Sequence, residues 1–159
     1  RTFTLAVLAS TIGIMACDSS PPKMVPTDLS AQGIPVTISA PEGAEVKDTM
    51  LTIAEKGLDV RKGDFMVTVE MYAEPTGADP KTVTTAQHDM VAKDPDFSKF
   101  LLEEDHGYIY SKKAEGGEAF HFFYVAHKDG KEYQFVDALN LFDDHKEADV
   151  KTMYTSVKQ

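Results

Sequence analysis

The dipeptide Asp129-Gly130, set between two runs rich in aromatic residues, restricts the fold of this 159-residue chain more than any other feature. Asp-Gly is a preferred pair for the two-residue type I′ turn of a β-hairpin. A two-residue loop at this point fixes the register, so that His127 lies opposite Glu132. Because side chains alternate between the two faces of a strand, one face carries residues that we expect in the core: Phe120, Phe122, Tyr124, Tyr133, Phe135 and Leu139.

Two helices are predicted, one before and one after this hairpin. Asp79-Pro80 is typical of a helix start, with aspartate as the N-cap and proline in the first turn. The predicted inner stripe of this helix consists of Val83, Ala86, Gln87, Met90 and Val91. The second helix is predicted from the acidic residues around Asp144 to about residue 158. Its predicted buried stripe is Val150, Met153, Tyr154 and Val157.

Alternating apolar residues predict strands in five further segments: 34–40, 50–55, 64–73, 100–104 and 107–113. Tight turns between neighbouring strands favour antiparallel pairing. These elements predict an α+β fold, in which an antiparallel sheet is sandwiched by helices, as a single domain over residues 34–159.

Signals for export and lipid attachment precede this domain. Residues 1–16 begin with a positive charge, continue as an uncharged apolar run and end in a small residue, which is typical of a secretory signal peptide. The segment Ile14-Met15-Ala16-Cys17 resembles the lipobox of bacterial lipoproteins. The resemblance implies cleavage before Cys17, the only cysteine, and a covalent diacylglycerol on its thiol. The alternative is an ordinary signal peptide that leaves this thiol free.

The stretch that follows, residues 17–33, is rich in serine, proline and polar residues and predicts a flexible tether. Lipidation with two or three chains would anchor the protein durably, since a single chain binds a bilayer only marginally. By resemblance to enteric-type lipoproteins, Asp18 directly after the cysteine implies sorting to the inner membrane. We therefore expect an exported, membrane-anchored protein of the bacterial cell envelope, with the inner and outer membranes both open.

The net charge of the chain limits the classes of partner that it can bind. It carries 26 Asp and Glu against 16 Lys and Arg, a net charge of −10. Nucleic acid is excluded as a partner, because its phosphates require clustered Lys and Arg. The same charge disfavours a domain that lies flat on anionic lipid, so we expect the membrane to be reached through the lipid anchor alone.

Motifs for catalysis and metal binding are missing from the sequence. Neither G-x-S-x-G nor H-E-x-x-H occurs. His121 and His127 share one strand face, but six residues at ~3.3 Å each place them ~20 Å apart, too far to share an ion. Asp94, Asp96 and Asp105 are either an irregular calcium site or a solvated loop, and the loop is favoured. We predict no catalytic residue, no metal and no enzymatic activity.

Two hairpin residues are candidates for ligand binding. In the predicted register Asp137 lies opposite Phe122, on the aromatic face, where a carboxylate needs hydrogen bonds, an ion partner or a raised pKa. One interpretation is a polar handle for a ligand in an apolar pocket. The other is a shifted register that turns Asp137 into water. His121 is either a packed histidine, which we favour, or a ligand-binding one.

The order of elements resembles the PsbP-like fold. The similarity covers residues 33–158 and rests on an early strand that enters Pro41-x-Gly43, a long strand pair, a D-P-capped helix, an aromatic hairpin and a terminal helix. Ala44 stands where members often have an aromatic residue. The fold includes photosystem II extrinsic subunits, a Ran-binding nuclear import factor and DcrB-type bacterial lipoproteins. The resemblance implies a binding or assembly role and transfers no catalytic residue.

These observations predict a lipid-anchored cell-envelope binding or accessory protein without catalytic activity. Its expected partner is an envelope protein or a small apolar ligand. The alternative is a carrier of a small apolar ligand or a metal ion. An exposed apolar patch would favour a partner surface, whereas an enclosed apolar cavity would favour a carrier.

Overall fold

The computed structural model describes residues 22–50, 52–137 and 145–158. Within these ranges the elements are, in chain order, β1 (Met24–Asp28), β2 (Thr37–Pro41), β3 (Glu45–Asp48), β4 (Lys56–Lys62), β5 (Phe65–Tyr72), α1 (Pro80–Val91), β6 (Phe97–Glu104), β7 (Gly107–Ala114), β8 (Gly117–Lys128), β9 (Lys131–Asp137) and α2 (Glu147–Val157). A short 3-10 turn, Ser30–Gln32, separates β1 from β2.

Seven of the strands form one antiparallel sheet in the order β3-β4-β5-β9-β8-β7-β6, and β1 and β2 pair as a separate hairpin. Strand β3 lies at one edge of the sheet and β6 at the other. The pairing of β6 with β7 is interrupted twice, between Phe97 and Lys99 and between Phe100 and Leu102. The predicted α+β fold with an antiparallel sheet is confirmed.

The central hairpin, β8 and β9, has the predicted register. His127 lies opposite Glu132, and Phe123 lies opposite Val136. Asp129 and Gly130 have φ angles of 53° and 75°, and a type I′ turn requires positive φ at both positions. Four members of the predicted aromatic face are buried: Phe122, Tyr124, Tyr133 and Phe135. Phe120 is partly buried against them, and Leu139 lies outside the described residues.

The two helices cover opposite faces of the sheet, because alternate residues of β8 contact different helices. Phe122 and Tyr124 belong to the larger core, which contains the whole predicted stripe of α2 and the inner side of the β1–β2 hairpin. Phe123 and Val125 belong to the smaller core beneath α1. The prediction of a sheet sandwiched by helices is therefore confirmed.

The prediction of a flexible tether over residues 17–33 is wrong from residue 24 onward. β1 pairs with β2 along its whole length, and Leu29 is fully buried in the larger core. A polar, proline-containing segment folds here because backbone pairing and one buried leucine hold it. The folded unit therefore begins by Met24, ten positions before the predicted boundary at Ile34.

The predicted strand at 50–55 is also wrong. Met50 and Ile53, two apolar residues of this segment, are each 95% exposed in the loop between β3 and β4. The strand lies at 56–62 instead, where Leu58 and Val60 are buried. Strands β1 and β3 were not predicted at all.

Helix α1 begins as predicted but buries a different face. The Asp79 side chain accepts a hydrogen bond from the Thr82 N–H at 2.7 Å, as an N-cap does. Val83 and Thr84 are buried, whereas Ala86 and Met90 are exposed. The predicted stripe is thus wrong at these last two positions. The predicted start of α2 at Asp144 lies outside the described residues, and the helix begins at Glu147.

Candidate functional site

The structure brings the two predicted ligand-binding residues, His121 and Asp137, together. The His121 Nδ1 and the Asp137 Oδ2 lie 2.6 Å apart, and the Phe122 N–H donates to the Asp137 Oδ1 at 2.9 Å. The last backbone pair of β8 and β9 is Phe123 with Val136. At the next position the Asp137 carboxylate, rather than a backbone carbonyl, accepts the hydrogen bond from the Phe122 N–H. Asp137 is only 8% exposed, which excludes the interpretation that it faces water.

Tyr110 and an ion pair surround this histidine. The ring of Tyr110 lies 5.2 Å from that of His121. Burial, together with the charges of Asp137 and Asp94, raises the pKa of the Tyr110 hydroxyl. Asp94 pairs with Lys112 at 2.5 Å, and this bond holds the pKa of the Asp94 carboxyl below its usual value. Both carboxylates near His121 therefore already have partners inside the protein.

A second polar cluster, the Glu132 network, lies at the turn end of the same hairpin. Glu132 is fully buried, and it accepts hydrogen bonds from the Thr76 N–H at 2.9 Å, the Thr76 hydroxyl at 2.7 Å and the Gln134 amide at 2.6 Å. The His127 Nε2 lies 3.0 Å from its Oε2. Burial alone would raise the pKa of Glu132, but these hydrogen bonds outweigh it and lower the pKa.

The sequence predicts only part of this network. The hairpin register places His127 opposite Glu132, and the structure confirms that pair. Thr76 comes from the segment between β5 and α1, and Gln134 contributes from the same strand as Glu132. No local pattern could reveal the Thr76 contact, because it depends on how the chain returns over the sheet.

A third histidine, His88, lies on the inner side of α1. Its ring stacks on Phe100 with centroids 3.8 Å apart, and its edge meets Tyr108. The His88 Nε2 lies 2.9 Å from Glu103 Oε1. Three histidines in the described residues thus contact carboxylates, each in a separate pair, and all three serve packing between elements.

Two of the three acidic residues considered as an irregular calcium site, Asp94 and Asp105, each pair with a lysine, Lys112 and Lys81 respectively. The third, Asp96, is exposed. Within the described ranges no group of three or more histidine, cysteine, aspartate or glutamate side chains is arranged to hold a metal ion. Cys17 and Asp18 lie outside the described residues.

An open groove of about 420 Å³ runs between the β1–β2 hairpin and α2. Its lining residues are Met24, Ser39, Lys151, Thr152, Thr155 and Ser156. Four of these residues carry hydroxyl groups, but carbon atoms make up the larger part of the exposed lining, and the groove is open to solvent rather than enclosed.

Among the described residues, the most exposed large apolar side chains are those of Met50 and Ile53, here called the apolar tip. Both side chains are 95% exposed, at the end of the molecule where β3 connects to β4. Single exposed apolar residues are ordinary, but two such large ones within four positions on one loop mark a candidate binding surface. The sequence pattern predicts a strand for both residues and so gives no indication that they are exposed.

Among the described helices, neither is both long enough and apolar enough to cross a bilayer. Comparison of the chain with protein-family models, with curated proteins and with solved structures finds no match in any of the three.

Proposed function

We propose that this chain is a lipid-anchored binding or accessory protein of the bacterial cell envelope, without catalytic activity, and that its domain contacts a protein partner. The lipobox-like segment that ends in Cys17 supports the anchor. The apolar tip supports the binding role and is the single structural observation that carries it, because covering exposed apolar side chains with another surface removes them from water and is favourable.

The described histidines and carboxylates form separate pairs in different parts of the fold, and this dispersal is what supports a non-catalytic role. His121, His127 and His88 are each held by a carboxylate of the protein. The Glu132 network has its acceptor oxygens occupied by donors from three residues. These groups stabilise contacts between elements of the fold.

We also propose that the domain is PsbP-like. The support is the antiparallel sheet between two helices, the D-P start of α1 and the turn at Gly43, whose φ angle is 77°. The alternative function, a carrier of a small apolar ligand or metal ion, draws less support, since the groove beside α2 is open rather than an enclosed cavity.

The anchor is tested by a Cys17→Ser variant produced in a bacterium from a gene with an intact export leader. The wild-type protein should sediment with membranes and gain the mass of a diacylglyceryl group. The serine variant should either remain unprocessed or leave the membrane fraction. A serine variant that is processed and stays membrane-bound like the wild type would overturn the proposal.

A further inference from the structure

The folded domain begins close to the proposed anchor at Cys17. The Glu42 N–H donates to the Lys23 carbonyl at 2.8 Å, and β1 pairs with β2 from Met24 onward, so the backbone is fixed from Lys23. Six residue steps separate Cys17 from Lys23. An extended chain spans at most about 3.6 Å per step, so this connection reaches about 22 Å, whereas a tether up to residue 33 would have reached about 58 Å.

The chain enters the domain at a corner built from two neighbouring turns. Lys23 pairs with Glu42 at 3.3 Å, and the Lys62 ammonium donates to the Glu42 carbonyl. A Cβ atom on Gly43 would lie 3.5 Å from the Lys62 Nζ. The turn between β2 and β3 therefore lies beside the turn between β4 and β5. The entry corner is defined here as residues 23, 42, 43 and 62–64, all of which are exposed.

The charges of the entry corner balance. Lys23 and Lys62 are matched in number by Glu42 and Asp64, although the whole chain carries a net charge of −10. Anionic headgroups attract basic segments and repel acidic ones, and a neutral surface experiences neither effect strongly. The entry corner can therefore approach a bilayer without the repulsion that an acidic surface meets.

The length of the sheet restricts how the domain can turn above a membrane. Strand β5 runs from Phe65, next to the entry corner, to Tyr72, and its seven residue steps cover about 23 Å. If the Tyr72 end faced the bilayer, the corner would stand about 23 Å above it, and a connection of at most about 22 Å would have no length to spare. A domain on its side would press its acidic surface against the headgroups, which the charge disfavours.

We propose that the entry corner is the membrane-facing surface of the domain, held within about 22 Å of the lipid headgroups by the connection to Cys17. This inference rests on the proposed function, because the lipid on Cys17 is what fixes that residue at the membrane. The Tyr72 end of β5 then points away from the bilayer.

The first test measures how close the two ends of β5 lie to the membrane. Asp64→Cys, at the entry corner, and Glu74→Cys, two positions after the strand ends, each replace one exposed acidic residue and are matched in charge. Cys17 is the only native cysteine, and its lipid-modified thiol does not react, so a maleimide donor dye labels the introduced cysteine alone.

Each labelled lipoprotein is placed in vesicles of phosphatidylethanolamine and phosphatidylglycerol that carry an acceptor dye on their headgroups. Energy transfer to the acceptor should be at least twofold faster from position 64 than from position 74. Equal rates, or a faster rate from position 74, would overturn the proposal.

A second pair of samples tests whether the short connection keeps the corner near the membrane. Ten glycine and serine residues inserted after Ser20 lengthen the connection by up to about 36 Å. Transfer from position 64 should then fall, and the ratio between positions 64 and 74 should approach one. If the insertion leaves both rates unchanged, the connection does not orient the domain and the proposal is wrong.

Mass spectrometry of the same samples separates the two ways in which the proposal can fail. The mass of a diacylglyceryl group on Cys17 should be present in every sample. If it is absent, the proposed anchor is wrong and the orientation falls with it. If it is present and the two positions transfer energy equally fast, the anchor stands and only the orientation is wrong.

Discussion

Thr76 and Glu132, which are 56 positions apart in sequence, are joined by two hydrogen bonds, one from the threonine N–H at 2.9 Å and one from its hydroxyl at 2.7 Å. Glu132 is fully buried on β9, and Thr76 lies in the connection from β5 to α1. One buried carboxylate therefore fixes the path of the chain as it leaves the sheet toward α1.

Replacing this carboxylate should destabilise the protein strongly. In Glu132→Ala the donors of Thr76, Gln134 and His127 lose their charged acceptor, and a hydrogen bond to a charged group contributes about 1.5–3 kcal/mol. Of the three donors, the Gln134 amide is the buried one and is left without a partner. We expect the free energy of unfolding to fall by about 3 kcal/mol or more, as measured by urea denaturation. Glu42→Ala, which removes one exposed ion pair with Lys23, should cost no more than about 1 kcal/mol. Equal effects of the two variants would contradict this role of the network.

The same residue should contribute to the pH dependence of stability. The pKa of Glu132 in the folded protein lies below its ordinary value of 4.5, so folding favours its charged form. The resulting stability is complete above about pH 4.5 and is lost as the pH falls through the lower, folded-state pKa. The difference in unfolding free energy between the wild type and Glu132→Gln should therefore shrink from pH 7 to pH 3. A difference that grows on acidification would show that the shift has the opposite sign.

Gly107 should not tolerate a side chain. A Cβ atom at this position would lie 2.3 Å from the Phe123 carbonyl oxygen and 2.9 Å from the Tyr124 Cα, both on the neighbouring strand. Gly107→Ala should cost about 1–3 kcal/mol through forced displacement of the backbone. Gly116→Ala is the matched control, because a Cβ there meets nothing within 4 Å. Thermal unfolding of both variants would decide, and a tolerant Gly107 would mean that β7 can move away from β8.

Two tyrosines should respond oppositely to loss of their hydroxyl groups. Tyr133 is fully buried and its hydroxyl has no hydrogen-bond partner among the described residues. Tyr154 donates its hydroxyl to Glu104 at 2.8 Å. Tyr133→Phe should leave stability unchanged or raise it, whereas Tyr154→Phe should lower it by about 1.5–3 kcal/mol, as expected for a hydrogen bond to a charged group. Denaturant titrations of both variants test this, and a clear loss of stability in Tyr133→Phe would contradict it.

Helix α2 should depend on Met153 for its attachment. Met153 is fully buried, and its sulfur lies 3.2 Å from the Met66 backbone nitrogen on β5. Met153→Ala should lower the free energy of unfolding by about 2–5 kcal/mol. Lys151→Ala, on the exposed side of the helix, removes only a pair with Glu147 and should change it by less than about 0.5 kcal/mol. Small, equal effects would show that the helix is loosely held.

The elements predicted correctly are those whose signal is local and redundant. The turn chemistry of Asp129-Gly130 fixed every pair in the β8–β9 register, because the loop length leaves a single register possible. The stripe of α2 was unambiguous, because four large apolar residues repeat on one side of a short helix. Both predictions use only residues within one element or one hairpin.

The errors occur where the local signal was weak or equally consistent with two structures. Helix α1 has few large apolar residues, and the sheet beneath it selects Val83 and Thr84 over Ala86 and Met90. The apolar alternation around Met50 and Ile53 fits a strand as well as an exposed loop. The sequence indicates His121 and Asp137 as two separate candidates for ligand binding, and only the folded chain shows that they contact each other.

The two edges of the sheet bear on how this protein behaves when many copies are crowded together. The β3 edge is only four residues long, and three of them are charged. The β6 edge is longer, but its pairing with β7 has two register breaks, and it carries the charges of Lys99, Glu103 and Glu104. Both features disfavour backbone hydrogen bonding between this edge and a strand of a neighbouring chain. Growth of the sheet by addition of further copies, the first step toward fibrils, is therefore blocked at both ends.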